Sequence, residues 1–183
     1  MLIHRLARED DLPALKALMT LAIDHLQSGF LDAAQVAASH ATMGLDTQLI
    51  ADRTYFVVED DGRAAGCGGW SRRATLYGGD AGAAPRDPRL LDPAREAARV
   101  RAMYTHPDFA RRGVGTLILN LCEAAAVKEG FTRLELMATL AGEPLYLAGG
   151  FVQMERTHAP SIGGVAVPLV LMGKPIGAAK PRR

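Results

Sequence analysis

Between Ala98 and Ala126 the chain reads as a strand, a glycine-bearing loop and a helix in immediate succession, and that order constrains the rest of the fold. Val100-Arg101-Ala102-Met103-Tyr104-Thr105 reads as the strand, Ala110-Arg111-Arg112-Gly113-Val114-Gly115 as the loop, and Thr116-Leu117-Ile118-Leu119-Asn120-Leu121-Cys122 as the start of an amphipathic helix. A strand that feeds a helix N-terminus through such a loop leaves free backbone N–H groups facing one concavity, and the helix dipole makes that concavity attractive to anions. The two glycines allow close backbone approach to a phosphate, with positive φ where needed. Arg111 and Arg112 add positive charge beside it. The stretch therefore predicts a site for a phosphorylated cofactor, with an ordinary strand-to-helix turn as the competing reading. A dinucleotide fingerprint would need a third glycine, where Leu117 and Ile118 stand, and a P-loop would need a lysine before Thr116. What remains is a loop that binds pyrophosphate mainly through its backbone.

The flanking segments supply the other elements of a mixed α/β domain. Leu2 to Leu6 is a candidate strand. Asp10 or Asp11 then suits the cap of a helix with Pro13 in its first turn and Leu12, Leu15, Leu18, Met19, Ala22, Ile23 and Leu26 at helical spacing. A weaker helix runs from about Asp32 to Met43 with Val36 and Ala37 inward, and Asp46 suits the cap of a short turn through Ile50. Tyr55 to Glu59 and Ala64 to Arg72 form a hairpin about Asp60-Asp61-Gly62. Gly66, Gly68 and Gly69 in the returning strand point to a bulge or a close approach. Ala74 to Ala97 holds Pro85, Pro88 and Pro93 without periodicity, and it reads as a substrate-side loop. Arg133 to Ala138 is a strand, Glu143 to Leu147 a short helix, and Phe151 to Arg156 and Val165 to Met172 are strands, with Pro168 at an edge or bulge. The order βααβββαβαββ predicts a single domain over residues 1–175. Its sheet is mixed and twisted, of about six to seven strands, with helices on both faces. Residues 176–183 form a short basic tail, expected to be disordered.

Composition narrows the class further. With 49 % hydrophobic residues the chain can bury a core, and a net charge of +1 argues against a nucleic-acid partner. Cys67 and Cys122 have no metal-ligand spacing, so no metal is expected and both read as buried thiols. The charged run Arg8-Glu9-Asp10-Asp11 follows Met1 too closely for a signal peptide, and no apolar run is long enough to span a bilayer. The expectation is a cytoplasmic protein with no membrane partner.

His106-Pro107-Asp108-Phe109-Ala110-Arg111-Arg112-Gly113-Val114-Gly115 resembles the acetyl-coenzyme A loop of the GCN5-related N-acetyltransferase (GNAT) family, whose pattern is Gln/Arg-x-x-Gly-x-Gly/Ala. Tyr146-Leu147-Ala148-Gly149-Gly150-Phe151 resembles that family's second motif, a tyrosine five residues before the phenylalanine of a Gly-Phe pair. Ala110 departs from the usual Gln or Arg, and Thr139 stands where an asparagine often precedes the tyrosine by seven positions. The resemblance implies acetyl transfer from acetyl-CoA to a primary amine of a small molecule or protein by direct attack on the thioester. It implies that Met103, Tyr104, Thr105, Arg111, Arg112, Gly113, Val114, Gly115, Thr116 and Thr139 bind the cofactor, and that Tyr146 donates a proton to the departing thiolate. In that family the early helices border the acceptor pocket, which makes His25, Phe30 and His40 candidates for its lining. Trp70, Arg72, Arg73 and Tyr77 are further candidates for the acceptor site, with a core tryptophan as the competing reading of Trp70. Glu59, Glu96, Glu135 and His106 stand as possible general bases, and transfer of the proton through water needs none of them. Dimers are common in the family, and the C-terminal strands are the candidate edges for a homodimer. A non-catalytic acyl-CoA sensor on the same fold is the alternative function.

Overall fold

A seven-stranded mixed sheet runs through the molecule in the order β1-β2-β3-β4-β5-β7-β6. Its strands are β1 (Leu2–Leu6), β2 (Tyr55–Asp60), β3 (Arg63–Ser71), β4 (Ala98–Thr105), β5 (Arg133–Thr139), β6 (Val152–His158) and β7 (Pro168–Pro175). Among the described residues five α-helices accompany it: α1 (Leu12–Leu26), α2 (Ala33–Thr42), α3 (Thr47–Ala51), α4 (Val114–Lys128) and α5 (Glu143–Ala148). The computed structural model describes residues 1–82 and 84–177, so the basic tail from Lys180 to Arg183 lies outside it. Ile176 is buried, and its N–H donates to the Thr132 carbonyl at 2.8 Å. Among the described residues no helix is long and apolar enough to cross a membrane.

Alternation along the strands assigns the two faces. Val58, Trp70 and Leu134 pack with Ile118 and Cys122 of α4 in one core cluster. Val57, Cys67 and Tyr104 pack with Leu15, Leu18 and Ile23 of α1 in another. The glycines of β3 sit where side chains have no room. A Cβ on Gly66 would stand 2.4 Å from Val114 Cγ1, and one on Gly69 would stand 2.3 Å from the Thr54 carbonyl oxygen. The β3–β4 register shifts between Cys67 and Gly69, so two residues of β4, Ala102 and Met103, stand opposite Gly68 alone.

All pairings are antiparallel except β4 with β5, which is parallel and held at only two positions, Ala98↔Leu134 and Arg99↔Glu135. Arg99 also forms an ion pair with Glu135 there. Beyond Arg99, β4 has no ladder partner on its β5 side, and a cleft opens between the two strands.

Several expectations are corrected in detail. Neither Asp10 nor Asp11 caps α1 with its side chain. Asp11 instead accepts from the Arg5 guanidinium at 2.7 and 2.8 Å and from the Arg8 N–H at 2.8 Å. Ala37 faces solvent, and α2 buries Ala38, Ser39 and Thr42. Pro168 opens β7, which is an interior strand, and its position at the strand's first residue limits the loss of ladder bonds.

Gly69→Ala is expected to destabilise the fold by about 1–3 kcal/mol, because its methyl meets backbone rather than a movable side chain. At roughly 2–4 °C per kcal/mol for a chain of this size, a thermal melt should fall by several degrees. An unchanged melt would show that β2 and β3 can separate without cost.

Candidate active site

The cleft between β4 and β5 leads into a cavity of about 750 Å³. One end is built by the loop before α4. Phe109 is buried and packs edge-on to His106 at 5.7 Å, which seats the short turn Pro107–Phe109. The chain then takes left-handed φ at Arg111 (+64°) and at Gly113 (+85°) before α4 begins. Alternating left-handed residues turn successive N–H groups toward one side, a concavity suited to anions. No side chain caps α4, and its first intrahelical bond runs from the Leu117 N–H to the Gly113 carbonyl at 2.9 Å. The N–H groups of Val114, Gly115 and Thr116 therefore point past the helix end, and all three residues line the cavity. A Cβ on Gly113 would meet nothing within 4 Å, so this cradle is open.

The middle of the cavity is bounded by β4 and by Tyr146. Ala102 in β4 has φ +49°, at the bulge opposite Gly68. Its carbonyl is held from the far side by the buried Tyr55 hydroxyl, which donates at 2.7 Å. Tyr104 is buried as well, and its hydroxyl accepts from the Gly44 N–H at 2.9 Å, tying β4 to the segment between α2 and α3. Tyr146 packs edge-on to Phe151 at 6.0 Å and lines the cavity. Burial pushes its phenol above the ordinary value, so the hydroxyl facing the cavity is held in its protonated form.

The far end is formed by α1, by the α2–α3 connection and by Leu76, Tyr77 and Gly78. A buried arginine holds this wall. Arg101 donates to the Thr75 carbonyl at 2.9 Å, to the Gly78 carbonyl at 2.7 Å and to Asp46 at 2.8 Å. Asp46 also accepts from Arg86 at 2.8 Å and from the Gln48 N–H at 3.1 Å, so the same carboxylate caps α3. Desolvation lowers the Arg101 pKa, and Asp46 acts against that shift.

Of the residues expected at the cofactor, Met103, Tyr104, Thr105, Arg111, Gly113, Val114, Gly115, Thr116 and Thr139 line the cavity. Arg112 does not, because its guanidinium turns to Asp60 at 3.0 Å and lies 4.9 Å over the Phe109 ring. Thr139 Oγ1 accepts from the Gly142 N–H at 3.2 Å, which sets the turn into α5. On the acceptor side, Phe30 and Tyr77 line the cavity. Trp70 and Arg72 do not: the indole is 2 % exposed against Phe131, and Arg72 is engaged by Glu129 and the Asp52 carbonyl. Arg73 is held by Asp52, and His40 sits 2.6 Å from Asp24, with His25 also off the cavity. None of the candidate bases reaches it either. Glu59 pairs with Arg5, Glu96 with Arg89, Glu135 with Arg99, and His106 Nδ1 accepts from the Asp108 N–H. Cys67 and Cys122 are buried free thiols, and burial pushes Cys67 up to about 12.

The sequence reading missed Arg101, Gln27 and the Tyr55 hydroxyl. An arginine between Val100 and Ala102 in a strand was a visible anomaly, but its partner stands 55 residues away.

The family comparison agrees with this geometry. The model of the acetyltransferase (GNAT) family matches residues 17–151, and the chain belongs to that family. No curated protein matches it. Among solved structures it is similar to a GCN5-related N-acetyltransferase from Rhodopseudomonas palustris, with 19 % identity, a TM-score of 0.69 and 95 % of each chain covered. It is similar to the ribosomal-protein-S18-alanine N-acetyltransferase from Escherichia coli, with 20 % identity, a TM-score of 0.60 and coverage of 100 % of this chain and 99 % of that one. It is also similar to yncA from Salmonella typhimurium, solved with its cofactor acetyl-CoA, with 18 % identity, a TM-score of 0.62 and coverage of 97 % and 95 %. Acetyl-CoA is the cosubstrate of the family.

Tyr55→Phe is expected to leave the Ala102 carbonyl without its partner and to cost about 1–3 kcal/mol, read as a lower melting temperature. A melt equal to the parent's would show that the bulge holds itself.

Proposed function

We propose that the chain is an N-acetyltransferase that moves the acetyl group of acetyl-CoA to a primary amine by direct attack on the thioester. The observation that carries this reading is the uncapped N-terminus of α4, opening on the same cavity as a protonated, buried tyrosine. Acetyl-CoA would supply the activated acyl carbon and a thiolate leaving group. The amine nitrogen forms the new C–N bond as the C–S bond breaks, and the proton lost by nitrogen ends on the thiol or in water.

This chain's own residues supply the rest. The N–H groups of Val114, Gly115 and Thr116 would hold the pyrophosphate, with Arg111 beside them. The bulge in β4 exposes backbone near Met103 to Thr105 to the cavity, where an N–H can polarise the thioester carbonyl. Tyr146 would stabilise the departing thiolate by donating a hydrogen bond. A phenol above its ordinary value is a weaker acid than a thiol of pKa about 8.5, so full proton transfer to the thiolate is unfavourable and the donor role is mainly electrostatic. Arg112 is left out of the cofactor site by its bond to Asp60. The alternative, a non-catalytic acyl-CoA sensor, has no use for a donor beside the sulfur, and Tyr146 favours the enzyme. A homodimer would use the outer edge at β6, where Val152 and Met154 are exposed, rather than β7.

A ligand at a hundred times its Kd adds about 2.7 kcal/mol of stability, so acetyl-CoA should raise the melting temperature and NAD should not. Gly113→Asp should abolish that shift while still folding, at a cost of about 1–2 kcal/mol for a side chain at positive φ. Aspartate tolerates the left-handed conformation better than most residues, and the position is open, so its charge is what would oppose the phosphates. No shift for the parent protein, or an equal shift for both, would remove the loop from cofactor binding.

Tyr146→Phe should lower turnover about ten- to a thousand-fold with acetyl-CoA affinity little changed. Unchanged turnover in steady-state assays would take Tyr146 out of the mechanism.

A further inference from the structure

The acceptor end of the cavity has an unusual inventory for a pocket that receives an amine. Among the described residues, the lining of the whole cavity is apolar, hydroxyl-bearing, amide, glycine or arginine, and none is Asp, Glu, His or Lys. An ammonium group entering it would lose water and gain no anionic partner. Asp46, the carboxylate that holds Arg101 of the lining, is already paired with both Arg101 and Arg86. Arg86 lies 3.8 Å from Asp80 as well, so the cluster is close to electrically balanced and offers no surplus negative charge.

What the end does offer is apolar surface. Leu26, Phe30, Met43 and Leu76 line it, and Phe30 is 53 % exposed at its mouth although it is a large aromatic side chain. One polar group among them is poorly satisfied. Gln27 is 3 % exposed, yet its Nε2 donates to Met43 Sδ at 3.1 Å, and Ser39 Oγ reaches its Oε1 at 3.5 Å, the outer limit for a hydrogen bond. Sulfur is a weak acceptor, so the carboxamide retains capacity on both of its ends. A buried amide so loosely held in an apolar pocket is suited to orient a ligand.

We propose that the acceptor is a small primary amine carried on an apolar body, aromatic or branched aliphatic, taken up in its neutral form and oriented by Gln27. The assignment rests on the N-acetyltransferase reading. Desolvation favours the neutral amine, which is the form that carries the lone pair, and so the pocket itself does part of the work of a general base. A polyamine or a lysine-rich protein tail would leave unpaired cations in the same space.

The test compares 2-phenylethylamine, spermidine and a peptide with an N-terminal alanine as acceptors for the full chain, with acetyl-CoA saturating and released thiol as the readout. The expected result is a kcat/KM for 2-phenylethylamine at least about tenfold above that of either competitor. Phe30→Glu, at an exposed site, should shift the preference toward spermidine while the thermal shift with acetyl-CoA stays as in the parent. Preference for spermidine overturns the proposal, and preference for the peptide overturns it in favour of a protein acceptor. A thermal shift with acetyl-CoA but no transfer to any of the three also overturns it, leaving the cofactor site standing. Absence of any shift with acetyl-CoA overturns the transferase reading, and the proposal with it.

Discussion

Two rungs of parallel pairing between β4 and β5 decide the architecture of the site. Ala98↔Leu134 and Arg99↔Glu135 join the halves of the sheet, and no further ladder follows. The Arg99–Glu135 ion pair fastens the closed end of this wedge. It does so at some cost, since Arg99 Nε is buried without a hydrogen-bond partner among the described residues. If the ladder continued, the sheet would be unbroken and there would be no cleft for a cofactor to enter. Every other part of the site depends on that opening. The loop before α4 reaches the cleft because α4 packs tightly on β3, with Val114 against Gly66. Tyr146 reaches it because α5 follows β5 after the turn at Gly142.

The parts of this arrangement that are local in sequence were readable from it. Strand, left-handed loop and helix succeed one another over about thirty residues, and glycine at 113 and 115 carries the loop's chemistry in its identity. Gly66, Gly68 and Gly69 announced a bulge and close approaches, and both are present. Tyr146 and its spacing to Phe151 were equally local, and the two rings touch edge to face. The acceptor-wall reading of Trp70 failed and its competing reading held: Trp70 shares the α4-facing side of β3 with Gly66 and Gly68, and it lies in the core beside Phe131.

Long-range polar pairing was the second illegible layer. Arg101, Asp46, Arg86 and the carbonyls of Thr75 and Gly78 form one network, although they are spread over three segments of the chain. Asp46 was legible as a helix cap, because that bond is made two residues away, but not as the anchor of β4. The same limit explains why Glu59, Glu96, Glu135 and His106 looked available for catalysis. Glu59 and Glu135 meet arginines 54 and 36 residues away that only the folded chain brings near, whereas Glu96 is taken by Arg89 of its own loop and His106 by the Asp108 N–H two residues on. Under the proposed function, no carboxylate or imidazole of the described residues lining the cavity is free to take the proton, and Tyr146 is the phenol that faces it.

Arg101 grips the wall formed by Leu76, Tyr77 and Gly78 through the backbone oxygens of Thr75 and Gly78, not through the side chains that face the cavity. Placement of the wall and chemical character of the wall are thus written in different residues. Replacing Leu76 changes what lines the pocket and leaves those backbone bonds in place, whereas Tyr77 also packs against Ala38, Ala159, Val167 and Leu169. Under the proposed function, the two ends of the cavity are therefore separable: a change at Leu76 alters the acceptor end and touches nothing at the N-terminus of α4.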